Sequence, residues 1–172
     1  MGASSPVAGR WIGLDISSTT SGWAVVDSPS AGPVLVASGI IRMSRKPKDS
    51  IGLRLERLFD SLVPVLKEYR PERATLEAGY LKHGIAMLKI AEARGVALLV
   101  CQGAGVAVDE IPPATVKKAI GGHGNADKDR MESAVRTICR GCPATFASDD
   151  ESDAVSVALY GALILGPTVC PI

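Results

Sequence analysis

Trp11-Ile12-Gly13-Leu14-Asp15-Ile16-Ser17-Ser18-Thr19-Thr20-Ser21-Gly22-Trp23-Ala24-Val25-Val26 is the stretch on which the fold turns. Two apolar runs of strand length, 11–15 and 22–27, flank a block of turn-forming Ser and Thr residues. After the Gly32-Pro33 turn, Val34 to Ile41 reads as a third strand. Strands this close in sequence pair as an antiparallel meander. The first run ends on a carboxylate, Asp15.

Downstream the period changes. Leu53, Leu55, Leu58, Leu62 and Leu66 recur at roughly helical spacing, with Pro64 expected to bend the helix and Arg70-Pro71-Glu72 to stop it. Arg73-Ala74-Thr75-Leu76-Glu77 is a short strand that again ends on an acid. A helix is expected from about Leu81 through Ala93, extending past Gly95 as far as Cys101. Val106 to Ile111 is the fifth strand, reached from the fourth by a right-handed parallel crossover. Pro112-Pro113 opens a short helix carrying Lys117 and Lys118, and a loop Gly121-Gly122-His123-Gly124-Asn125 follows. Asp127 caps the next helix, which ends near Cys139. The last helix starts around Asp150 to Ser152 and runs to about Leu165, before Gly166-Pro167. The order predicts an α/β domain over 11–166: a mixed five-stranded sheet, three antiparallel strands plus two parallel, flanked by helices. Residues 1–10 read as a flexible leader and 167–172 as a tail.

Composition bounds the function. The 172 residues are 47% apolar and 22% charged, a globular balance that suits one domain. Nineteen Lys and Arg face 18 Asp and Glu, a net charge of +1, so a nucleic-acid partner can only be read from local clusters. No secretory or membrane-spanning segment is legible, and a cytoplasmic protein, or one of a DNA-containing organelle, is expected. Cys139-Arg140-Gly141-Cys142 has the spacing of half a zinc site but lacks a second half, so reduced cysteines are expected.

The chemistry concentrates in four acids at the edges of apolar segments: Asp15, Glu77, Asp150 and Asp153. Taken singly, each reads as a turn residue or a helix cap. If strands one and four are parallel neighbours, however, Asp15 and Glu77 lie about 4.8 Å apart in the pairing direction. Asp150 and Asp153, three apart, share one helix face. Carboxylates crowded in this way repel unless hard cations sit between them.

With these residues in place, the chain resembles the RuvC family of Holliday-junction resolvases, within the RNase H-like superfamily. Ile12-Gly13-Leu14-Asp15 followed by Ser21-Gly22-Trp23-Ala24-Val25-Val26 is similar to the family's opening strands. Glu77 stands at its second acid, and Glu92-Ala93-Arg94-Gly95-Val96 matches a segment of its central helix. Val116-Lys117, the loop Gly122-His123-Gly124-Asn125-Ala126-Asp127-Lys128, and Asp150, Asp153 and Ala154 follow in the family's order. The resemblance covers 11–165. It departs at Asp15-Ile16-Ser17, where the family commonly has Asp-Pro-Gly, which marks a divergent, phage-like member. In addition, the crowding of Asp149, Asp150, Glu151 and Asp153 leaves the register of the third ligand open.

The resemblance implies that Asp15, Glu77, Asp150 and Asp153 hold two divalent ions, Mg²⁺ or Mn²⁺, with Lys117 and Lys128 near the scissile phosphate. Cleavage would leave a 5′-phosphate and a 3′-hydroxyl. Tyr80 would stack on an unpaired base. Lys82, Arg42, Arg45, Lys46, Lys48 and Lys118 would contact DNA, with Arg130 and Arg136 extending the basic face. Paired symmetric nicks in a four-way junction require a homodimer, with the helix from Leu81 at the interface. Two other classes compete: a nuclease of the same fold acting on flaps or branched DNA, and an actin-like ATP-binding domain, which Leu14-Asp15-Ile16-Ser17-Ser18-Thr19-Thr20 fits loosely.

Overall fold

The computed structural model describes residues 9–44, 46, 48–78 and 85–166. Strands β1 (Arg10–Asp15), β2 (Thr20–Asp27) and β3 (Val34–Arg42) come first, then helix α1 (Ile51–Tyr69), strand β4 (Arg73–Glu77), helix α2 (Ile85–Gly103) and strand β5 (Ala107–Ile111). Helices α3 (Pro113–Gly121), α4 (Lys128–Ile138) and α5 (Asp149–Tyr160) complete the order, and α5 widens into a π-helical turn over Gly161–Leu165. The sheet runs β3-β2-β1-β4-β5. The β1–β2 and β2–β3 pairs are antiparallel; the β1–β4 and β4–β5 pairs are parallel. The expected mixed sheet is therefore the observed one. Arg10, assigned to the leader from sequence, is the first residue of β1, because its backbone pairs with Asp27.

Strand alternation divides the core between two faces. Ile12, Leu14, Val25 and Leu76 point toward α1 and α2, where Leu58, Leu62, Ala93 and Ala97 cover them. Trp11, Ala24 and Val26 point the other way, onto α5 with Ala154, Val155 and Ala158. The α5 side is built for close approach. A Cβ on Gly13 would fall 2.2 Å from the Ala154 carbonyl oxygen, and one on Gly22 would fall 1.8 Å from that of Asp150. Only glycine lets the α5 backbone lie this near the strands.

Local chemistry explains the helix ends. Ser50 caps α1 by accepting from the Leu53 N–H, and Arg70 ends it in the left-handed region at φ 48°. The helix continues through Pro64 to Tyr69. Asp127 caps α4 by accepting from the Arg130 N–H, as expected. Among the described residues, no helix is long and apolar enough to cross a membrane.

Candidate active site

Parallel pairing sets the site. Leu14 lies opposite Leu76, so the next residue on each strand, Asp15 on β1 and Glu77 on β4, closes its strand at the same end of the sheet. On the other side of β1, Asp15 pairs with Gly22 of β2. The missing side chain of Gly22 is the seat on which the Asp150 backbone rests. The first turn of α5 is thereby laid over the strand ends, and Asp153 follows Asp150 one turn later on the same helix face.

The four acids share one electrostatic neighbourhood. Burial first, then the charges of Glu77, Asp153 and Asp150, push the Asp15 carboxyl up to about 8. Burial and then Asp153 push Glu77 up to about 7, against the opposing charges of Lys117 and Arg94. Asp153 is raised by burial, opposed by Lys128 and Lys117. Asp150 is raised by burial and by Asp149, again opposed by Lys128. The side chains do not yet close on a point: among the described residues, no three Asp, Glu, His or Cys groups are gathered as ready-made metal ligands. The donor chemistry nonetheless fits a hard divalent cation. All four groups offer carboxylate oxygen, and their proton affinities are raised first by burial and then by the neighbouring acids.

Packing separates the crowded acids at the start of α5. Ser148 caps the helix. Glu151 is buried, with one oxygen accepting from the Ser38 hydroxyl at 2.6 Å and the other from the Ala147 N–H at 2.6 Å. Asp149 is exposed and pairs with Lys128. Asp150 and Asp153 remain to act on Asp15. The Ser17 hydroxyl holds the turn after Asp15, accepting from the Thr20 N–H at 3.2 Å, while the Ser17 N–H donates to Ser21 Oγ at 3.2 Å. A serine network thus shapes the turn at Asp15-Ile16-Ser17, the point where the chain departs from the resemblance.

Of the expected cations, Lys117 and Lys128 both reach the acids electrostatically. Arg42, Lys46 and Lys48 are exposed. Their loop is tied to the Asp15 end of the sheet by bonds from the Met43 and Ser44 N–H groups to the Thr19 carbonyl, at 2.9 and 3.0 Å. Sequence reasoning missed Arg54 and Arg57, which strap this loop: Arg54 donates to Ser18 O at 3.3 Å, and Arg57 to Met43 O at 2.8 Å and Asp49 at 2.5 Å. Lys118 is exposed on α3. Tyr80, Lys82 and Arg45 lie outside the described residues. Arg136 stacks over Phe146 and pairs with Glu132, so it also braces α4. Arg130 likewise donates to the Gly121 carbonyl at 2.6 Å. The Cys139–Cys142 turn is structural: the Leu35 N–H bonds to the Arg140 carbonyl at 2.9 Å, and burial pushes the Cys139 thiol up to about 12.

Comparison with known proteins agrees with this geometry. The family profile described as crossover junction endodeoxyribonuclease RuvC matches residues 11–160. A protein of that name from Ruegeria pomeroyi is 36% identical over 151 residues, 87% of this chain and 88% of its own. One from Gluconacetobacter diazotrophicus is 38% identical over 151 residues, with the same coverage of 87% and 88%. The solved structure of T. thermophilus RuvC in complex with a Holliday junction substrate superimposes with a TM-score of 0.79 at 28% identity, covering 90% of this chain and 93% of that one. The yeast mitochondrial Holliday junction resolvase shares the fold, with a TM-score of 0.64 at 11% identity.

Proposed function

Because the chain belongs to the RuvC family of crossover junction endodeoxyribonucleases, we propose that it resolves Holliday junctions by paired, metal-dependent nicks. The observation that carries this reading is the register of Asp15 beside Glu77, with α5 seated on Gly22 so that Asp150 and Asp153 face the same strand ends. Family membership sets the actin-like alternative aside. Residues 10–166 are the catalytic unit in this reading.

Asp15, Glu77, Asp150 and Asp153 would hold the divalent ions, Mg²⁺ or Mn²⁺, two to a site. Such ions, when bound, generate a hydroxide nucleophile near neutral pH and offset charge on the leaving oxygen. The chain's own residues do the rest. Glu77 and Asp15, fixed at the ends of neighbouring strands, would set the position of the ions relative to the sheet. Lys117 and Lys128 stand beside the acids and offset negative charge on the phosphoryl oxygens as it develops. Arg42, Lys46 and Lys48 hold the flanking backbone through phosphate contacts, a salt-sensitive contribution. The products carry a 5′-phosphate and a 3′-hydroxyl. Such a substrate puts the enzyme in the compartment that holds the DNA, the cytoplasm in a bacterium.

Two cuts related by the junction's symmetry need two sites. The surface that supports a homodimer lies on α1 and α2, where Leu88 is 65% and Leu99 66% exposed. Leu99 also lines a groove of about 930 Å³ with Phe59 and Val63 of α1 and with Val106. Exposed apolar surface of this kind is covered by a partner.

The deciding experiment incubates the protein with an end-labelled mobile four-way junction, with and without Mg²⁺ or Mn²⁺. Symmetric ligatable nicks that need the metal are expected. Cutting of flaps but not of junctions, or cutting in EDTA, overturns the assignment.

A further inference from the structure

One arginine at the site is absent from the catalytic account above. Arg94 lies on α2 between Ala93 and the buried Ala97, and its side chain is only 12% exposed. One guanidinium nitrogen, Nη1, donates to the backbone carbonyl of Glu77, and the other, Nη2, pairs with Glu110 on β5. Glu110 lies opposite Leu76, and Ile111 opposite Glu77. The backbone just past Glu77 is held as well, with the Ala78 N–H donating to the Ile111 carbonyl at 2.8 Å. The Glu77 backbone is therefore fixed on both sides of its carbonyl carbon: by β5 through Ala78, and by α2 through Arg94.

We propose that Arg94 is the positioning residue for Glu77: its planar fork joins the end of β4 to Glu110 of β5 and holds the Glu77 Cα where its carboxylate can meet a divalent cation. The inference rests on the metallonuclease reading above. The fork geometry matters, because the two guanidinium nitrogens present their donors to the carbonyl and the carboxylate in one rigid plane, whereas an ammonium is a compact charge on a flexible stem. A purely stabilising ion pair is the competing explanation. Glu110 is 49% exposed, and pairs that open to solvent contribute little to stability. The two explanations differ in what they do to metal uptake.

The test titrates Mn²⁺ into the full chain, following the free-ion signal by electron paramagnetic resonance, and in parallel measures nicking of a four-way junction against Mn²⁺ concentration. Wild type is compared with Arg94→Gln, Arg94→Lys and Glu110→Gln, with Glu77→Gln as reference. Arg94→Gln is expected to weaken Mn²⁺ uptake by about tenfold or more, the usual scale for removing a group that orients a metal ligand. Saturating Mn²⁺ should restore its nicking to within about threefold of wild type, as for a defect in metal binding alone. Arg94→Lys should recover only part of the affinity, and Glu110→Gln should move it the same way by less. Glu77→Gln should stay inactive at every Mn²⁺ concentration. Unshifted Mn²⁺ uptake in both Arg94→Gln and Glu110→Gln overturns the proposal, whatever their nicking rates. Should Arg94→Gln fail to fold, Glu110→Gln decides by the same criterion. A wild type that takes up no Mn²⁺ sinks the metallonuclease reading and this proposal with it; a wild type that binds Mn²⁺ beside unshifted variants sinks only the role of Arg94.

Discussion

The two ends of the sheet treat carboxylates in opposite ways. At one end, Asp27 accepts a two-pronged bond from Arg10, at 2.7 and 2.8 Å, and Asp109 pairs with Arg73 at 2.7 Å. At the other, Asp15, Glu77, Asp150 and Asp153 gather with no ion pair to any of them among the described residues, and their proton affinities rise. The same residue types stabilise the fold where arginine answers them and destabilise it where nothing on the chain fully does. That imbalance is what the proposed cation site would draw on.

The sharpest way to break this contrast is to neutralise the acidic end. Asp15→Asn should cut nicking by about a thousandfold or more, since it removes a proposed metal ligand. It should also raise the metal-free melting temperature at pH 8 by about 5 °C, as relief of roughly 2 kcal/mol of burial and repulsion implies for a domain of this size. A gel assay and a thermal melt check both, and a variant that melts lower than wild type contradicts the comparison.

The next effect in size comes through the backbone. Gly22→Ala would drive a methyl group into the Asp150 carbonyl, which an ideal Cβ would approach to 1.8 Å. The first turn of α5 must move, and nicking should fall about a hundredfold, with a loss of stability near 3 kcal/mol. Retained activity would mean that α5 tolerates displacement from the strand ends.

Protons compete with the metal for the same oxygens, so pH gives a graded version of the test. Burial and the neighbouring acids push Asp15 up to about 8 and Glu77 up to about 7. At sub-saturating Mg²⁺, nicking should therefore rise by at least about tenfold from pH 6 to pH 8. Metal-free stability moves the other way. The folded chain retains protons that the unfolded chain releases above its ordinary carboxyl range, so stability declines as pH rises toward 8. A flat rate profile, or stability that climbs over that window, contradicts the assignment of these shifts.

The smallest effect belongs to the paired end. Asp27→Asn removes a partly exposed pair, and it should lower the melting temperature by about 2 °C and leave nicking unchanged. A large loss of activity from Asp27→Asn would erase the distinction between the two ends.

The sheet was legible because its cues are local. The Ser17–Ser21 break, the Gly32-Pro33 turn and alternating apolar residues mark the strands, and Pro113, Asp127 and Gly166 mark helix ends where expected. The four acids could be singled out because each borders an apolar run. The register at the start of α5 was not legible, because Asp149, Asp150 and Glu151 differ only in what surrounds them. Ser38, 113 residues away, draws Glu151 inward, and Lys128 takes Asp149. Arg54, Arg57 and Arg94 were also missed, since an arginine that donates to a distant carbonyl carries no sequence mark of that bond. For Arg136 the charge is visible in the sequence, but its stacking on Phe146 is not.

The placement of α5 has a further consequence for how the protein is made. The helix is the last α-helix among the described residues, yet it lies along Gly13 and Gly22 at the centre of the sheet. A ribosome that has synthesised β1 through α4 has produced Asp15 and Glu77 but not Asp150 or Asp153. The proposed ligand set is complete only once the final helix has emerged and docked, so a chain truncated before α5 is expected to show no metal-dependent nicking.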